Sequence, residues 1–188
     1  LKFFQEGLPP HVQSRLDVQE VFTFLIARLR TIFQEEGFSK EETEAVLSRG
    51  CEDVYDAYCR LFALRTFRRH HPVAFSALLE VFKRAKGQLE EKVSDTITPN
   101  LLHEPSEKNL YLLLQESAPR FQALVKEGSY QEAYLLMAAF QAPLDALFSE
   151  VKILAENPSL RANRLALLYR VFALFEQLLD FRKMQVQA

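Results

Sequence analysis

The chain has 188 residues, a formal net charge of -2, sixteen Phe, five Gly and no Trp. That length suits one domain with at most a linker, burying roughly 70% of its unfolded surface, and the near-zero charge excludes binding of a polyanion by bulk charge. Any nucleic-acid contact must come from a local basic patch. No apolar run approaches the ~18 residues of a membrane helix. Cys51 and Cys59 form no Cys-x-x-Cys pair, so they read as two reduced thiols of a cytoplasmic protein and not as a disulfide or a zinc site.

Residues 1–16, with Leu1-Lys2-Phe3-Phe4 running into Gly7-Leu8-Pro9-Pro10, read as a linker from an upstream domain, and residues 17–188 as one α-helical domain. Val18, Val21, Phe22, Leu25, Ile26, Leu29, Ile32 and Phe33 recur at helical spacing, with Asp17 placed to cap the helix and Gly37 to stop it. Ser39 and Glu42 have capping-box spacing and open a short helix through Val46 and Leu47 to Gly50. Asp53 starts the next helix, apolar around much of its circumference, which runs to about Arg69 and breaks at His71-Pro72. A helix follows through Phe75, Leu78, Leu79 and Phe82 to about Glu90, and residues 94–104 read as a loop. The helix carrying Leu110, Leu114, Phe121 and Leu124 is expected to kink at Pro119. Ser129 and Glu132 have capping-box spacing again, a break is expected near Pro143, another helix runs to Glu156, and the last spans Pro158 to about Arg182. No segment alternates like a strand, so the fold class is all-α, a bundle of seven to eight helices.

Two places carry candidate binding residues. Projected at ~100° per residue, the last helix places Arg164 inside its apolar stripe, Arg161 at the edge and Asn163 on the opposite flank. An unpaired buried guanidinium costs several kcal/mol, so Arg164 either meets a carboxylate, with Asp145 the candidate, or emerges at the end of the bundle. Arg161, near a helix N-terminus where the dipole does not favour a cation, is the better ligand contact, and the backbone N–H groups there can receive a phosphate. The second place is residues 60–86. Arg60, Arg65, Arg68, Arg69, Lys83, Arg84 and Lys86 face the single acid Glu80, a basic stripe suited to phosphates. Tyr55, Tyr58, Tyr111, Tyr130, Tyr134 and Tyr169 are candidates for stacking on bases. His70 and His71 face different ways, His103-Glu104 lacks the second His of a metalloprotease, and no Gly-rich loop is present, so no catalytic or metal residue is assigned.

Several blocks carry a family likeness. Phe24-Leu25 with Arg28-Leu29-Arg30, Glu36-Gly37-Phe38, Glu44-Ala45-Val46-Leu47, Arg60-Leu61 with Phe67, Lys83-Arg84 and Tyr130-Gln131-Glu132-Ala133 occur in order. They precede Pro143-Leu144-Asp145-Ala146-Leu147-Phe148, Val151-Lys152-Ile153-Leu154 and Leu160-Arg161-Ala162-Asn163-Arg164-Leu165. Over roughly residues 15–184 the chain resembles the C-terminal anticodon-binding region of the bacterial glycyl-tRNA synthetase β subunit, a helical domain of the type named after an Asp-Ala-Leu-Arg signature. The resemblance implies tRNA binding in an enzyme that joins glycine to its tRNA with ATP and Mg bound in a catalytic α chain, as an α2β2 assembly or a fused chain. It implies no cofactor in this segment and no membrane. Arg161, Asn163 and Arg164 fall on the family's Leu-Arg-x-Asn-Arg-Leu motif, while Asn157-Pro158 departs from its usually acidic stretch. The same exposed arginines also suit a second reading, a helical module that docks on another subunit or domain.

Overall fold

In the computed structural model, residues 17–86, 89 and 95–185 are described; the expected linker, residues 1–16, lies outside them. Among these residues there are eight α-helices: α1 (Val18–Glu35), α2 (Lys40–Leu47), α3 (Val54–His70), α4 (Pro72–Lys86), α5 (Pro105–Lys126), α6 (Tyr130–Ala138), α7 (Gln141–Glu150) and α8 (Pro158–Phe175). Two 3-10 turns accompany them, Pro99–Leu101 and Phe181–Lys183, and no strand occurs among the described residues. The all-α expectation holds.

Local signals account for most boundaries. The Asp17 carboxylate accepts from the Gln19 and Glu20 N–H groups, and Asp53 accepts from Tyr55 and Asp56, each satisfying donors that the helix leaves open. The Ser39/Glu42 capping box is complete. Gly37 has φ 84°, which lets Phe38 N–H reach the Phe33 carbonyl and Gly37 N–H reach Gln34. The Phe33 and Phe38 rings then meet edge to face with centroids 6.2 Å apart, the apolar contact of a Schellman stop.

Elsewhere the sequence expectations need correction. Ser129 makes no side-chain cap, so its box with Glu132 does not form. The stretch after it divides at residues 139–140, and Pro143 lies inside the first turn of α7, where its missing N–H is harmless. That helix ends at Glu150, because Val151 is extended, and does not reach Glu156. Helix α5 continues on both sides of Pro119, where the kink is expected. The expected loop contains the turn Pro99–Leu101. The expected end of α4 at Glu90 lies outside the described residues. Helix α8 stops at Phe175 and not near Arg182: Gln177 and Leu178 bond to carbonyls only three residues back, and the Asp180 N–H leaves the helix direction for the Ala45 carbonyl at 2.8 Å.

The core joins both halves of the chain. Helix α3 packs on α2, α4 and α6, α5 on α6 and α7, α7 on α4, and α8 on α5 and the first 3-10 turn. Phe175 is fully buried and its ring neighbours those of Phe82, Phe121 and Phe140, while Phe82 stacks on Phe181. Each such side chain contributes on the order of 1.5–3 kcal/mol of burial. Helix α1 is the exception. Among the described side chains of its apolar face only Phe33 is buried, whereas Phe24 is 69% exposed and Leu25 and Ile32 are also exposed.

Candidate nucleic-acid interface

At the start of α8, the Asn157 side chain accepts the N–H groups of Ser159 and Leu160 at 2.9 and 3.2 Å. The open donors that a phosphate was expected to find there are already satisfied. Arg161 is exposed, its Nε donates to the Ala155 carbonyl at 2.9 Å, and no carboxylate among the described residues forms an ion pair with it.

The other two residues of that motif turn inward. Arg164 does not pair with Asp145. Its Nε donates to Glu107 Oε1 at 2.6 Å and its Nη1 to the Lys152 carbonyl at 2.9 Å. Glu107 is fully buried and accepts the His103 and Glu104 N–H groups with its second oxygen. The sequence could not have placed this acid, 57 residues away on α5. Asn163 was expected on an outer flank but is buried, because residues 163–168 of α8 are covered on all sides. Its amide brackets Thr98, accepting from the N–H at 2.7 Å and donating to the carbonyl at 3.2 Å. Arg164 and Asn163 therefore hold the segments around residues 98, 107 and 152 together, and present no group outward.

The basic residues of α3 and α4 also separate. Arg60 is buried, bridging Asp56 at 2.9 Å and the Gly50 carbonyl at 2.9 Å. Asp56 also accepts the Tyr130 hydroxyl; burial first, then this carboxylate, pushes the phenol pKa well up. Arg84 pairs with Asp145 at 3.1 Å and lies over the Phe148 ring, remaining half exposed. Lys83 is exposed beside a groove of about 450 Å³ that also touches Tyr169 and Arg182. The side chain of Lys86 lies outside the described set.

Three arginines converge. Arg65, Arg68 and Arg69 line one depression of about 360 Å³ with the Gly37–Ser39 turn and Glu42. Arg68 is neutralised by Glu42 at 2.8 Å. Arg65 donates to the Glu36 carbonyl at 3.3 Å and its guanidinium sits 3.9 Å above the Phe38 ring, a contact that orients the charge without cancelling it. Arg69 is exposed and makes no ion pair among the described residues. Of the candidate cations, Arg65 and Arg69 on α3, Lys83 on the adjoining α4 and Arg161 on α8 have no acid partner among the described residues.

The aromatic residues of α3, which look like separate candidates in the sequence, form a constellation beside the arginines. Tyr55, Tyr58 and Phe62 edge a groove of about 500 Å³ against the Gly128–Glu132 turn. Their spacing of three and four residues was the available signal. Cys51 is buried, which pushes its thiol up and keeps it protonated. No cluster of three metal-ligating side chains occurs among the described residues.

The sequence model described as the DALR anticodon binding domain matches residues 74–186. The chain belongs to that family. Among its relatives, the glycine–tRNA ligase beta subunit of Desulforamulus reducens is 31% identical over 186 residues, covering 97% of this chain and 26% of that protein. Those of Anaeromyxobacter dehalogenans and Acidithiobacillus ferrooxidans are 35% and 36% identical, each covering 92% of this chain and 25% of theirs. The chain spans about a quarter of the length of these relatives. The family match covers α5–α8 and nearly all of α4; the relatives' similarity extends to the α3 arginines as well.

Proposed function

We propose that this chain is the tRNA anticodon-binding part of a glycine–tRNA ligase β subunit. Its role is to hold the glycine tRNA while a catalytic α chain, or a fused α region, attaches glycine using ATP and Mg. The parent works in the cytoplasm as an α2β2 or fused-chain assembly. The observation that carries the reading is the family match across residues 74–186, joined by surface cations that no acid among the described residues neutralises. Arg65, Arg69, Lys83 and Arg161 are the residues proposed to meet RNA phosphates; Arg60, Asn163, Arg164 and Arg68 position the framework, and Arg84 stays with Asp145.

The test is titration of the chain with glycine tRNA and an anticodon-swapped transcript across a salt series. The swap is expected to weaken binding, and Arg161→Ala to lower affinity and reduce the salt slope by about 0.7–0.9 for one lost phosphate contact, with the helical circular dichroism unchanged. Equal affinity for both transcripts, with Arg161→Ala silent, would overturn the reading. A second reading, a helical module docking on another subunit or domain, is favoured by one observation: the apolar face of α1 stands open at Phe24, Leu25 and Ile32. It predicts no sensitivity to the anticodon.

A further inference from the structure

Helix α3 carries an uninterrupted line of chemistry that the tRNA-binding reading does not by itself assign. At ~100° per residue, positions 55, 58, 62, 65 and 69 fall on one face, and they hold Tyr55, Tyr58, Phe62, Arg65 and Arg69. The line covers about 21 Å of helix at 1.5 Å per residue. At one end Tyr55 is 75% exposed, and Phe62 is 41% exposed, both unusual for large aromatic side chains on a packed helix.

The platform is built and held. Tyr58 stacks on Phe62 with centroids 6.4 Å apart and 27° between planes, and the Phe38 ring abuts Tyr58 edge to face at 5.8 Å. The Arg65 guanidinium lies 5.5 Å from the Phe62 centroid and 3.9 Å from that of Phe38, so the aromatic and cationic segments touch. Gln131 and Glu132 on the opposite wall of the groove supply acceptors, which suit the amino groups of unpaired bases. Aromatic faces joined to uncompensated arginines are the chemistry that takes unstacked single-stranded RNA: the rings stack bases and the cations hold the intervening phosphates.

Resting on the tRNA-binding reading, we propose that the exposed face of α3 is the track for the single-stranded anticodon loop. Tyr55 and the Tyr58–Phe62 pair stack its bases, and Arg65 and Arg69 hold its phosphates. The charge favours this occupant over a protein, since the end of the line at Arg65 and Arg69 is cationic and the acid in that depression, Glu42, is already paired with Arg68.

The experiment compares the unaltered chain, Tyr55→Ala and Arg69→Ala for binding to a glycine tRNA transcript and to the same transcript with abasic anticodon positions. Tyr55→Ala is expected to weaken binding of the intact transcript by about 5- to 150-fold, the range for loss of one base–aromatic stack, and to leave the abasic one unchanged. Arg69→Ala is expected to weaken both and to lower the salt slope by about 0.7. Both side chains are exposed, and circular dichroism verifies the fold. If both variants bind like the unaltered chain while anticodon swaps still matter, the track lies elsewhere and tRNA binding survives. Equal loss on intact and abasic transcripts with Tyr55→Ala overturns the stacking role. If the unaltered chain itself ignores the anticodon, the underlying reading fails and this proposal with it.

Discussion

Replacing Glu107 with Ala removes the acid that neutralises the Arg164 guanidinium inside the bundle. The Glu107 side chain is 0% exposed and that of Arg164 9%, so the surviving cation has little water to turn to. Deleting one member of such a pair costs about 3–5 kcal/mol because the other charge is left uncompensated. Glu107 also completes the capping box of α5, worth about 1 kcal/mol more. The expected loss of about 4–6 kcal/mol is a large part of a typical domain stability of about 5–15 kcal/mol. With a urea slope near 2 kcal/mol/M, the midpoint followed by circular dichroism at 222 nm falls by about 2–3 M. Glu107→Gln keeps shape and an acceptor and is expected to lose roughly half as much. Adding Arg164→Met to Glu107→Gln removes the stranded charge and restores part of that loss, since an apolar replacement of a buried pair is often neutral. A midpoint shift below about 0.5 M for Glu107→Ala refutes the argument. So does a double variant no more stable than Glu107→Gln alone.

Three further expectations concern stability. The Tyr134 hydroxyl is fully buried with no hydrogen-bond partner among the described residues, and Tyr134→Phe removes that unsatisfied group, so the variant is expected to be more stable by about 1 kcal/mol and to melt about 2–4 °C higher; a lower melting temperature shows that the hydroxyl is bonded. Ser39→Ala deletes the bond from the Glu42 N–H and is expected to cost about 1 kcal/mol, seen as a lower urea midpoint; an unchanged midpoint contradicts it. Burial raises the Asp180 pKa, but hydrogen bonds and charge from Arg182 outweigh it and hold the carboxyl below its ordinary 3.8. Its contribution is therefore complete above the unfolded value and is lost as the pH falls from 3.8 through the depressed folded value. Asp180→Asn is expected to flatten that acid limb in stability measured against pH, and an unaltered limb counts against it.

Helix positions were legible because the signals are local. Asp17, Ser39, Asp53 and Gly37 act on donors and carbonyls within a few residues of themselves, so a one-dimensional reading finds them. Helix ends set by distant partners were not legible. The stop of α8 depends on Ala45, a residue of α2, and nothing near Phe175 announces it. The candidate site shows the same division. A cation in the apolar stripe does need an acid, and Arg164 finds Glu107 on α5 and not Asp145, which Arg84 takes. Asn163 was misplaced because a single-stripe projection fails for a helix covered on all sides. The rings beside Arg65 were visible as residue types, yet the contact of Phe38 with Tyr58 needs the turn between α1 and α2.

The bond from the Asp180 N–H to the Ala45 carbonyl links residues whose separation is most of the described chain. During synthesis, a ribosome that has delivered residues up to Phe175 holds a nascent bundle still missing Phe181, the ring that stacks on Phe82. Closure waits on the final few codons of this stretch, and contacts of such high order slow folding. A frameshift or early stop after α8 would therefore release a polypeptide with most helices written and the latch absent, a ready substrate for quality-control proteases.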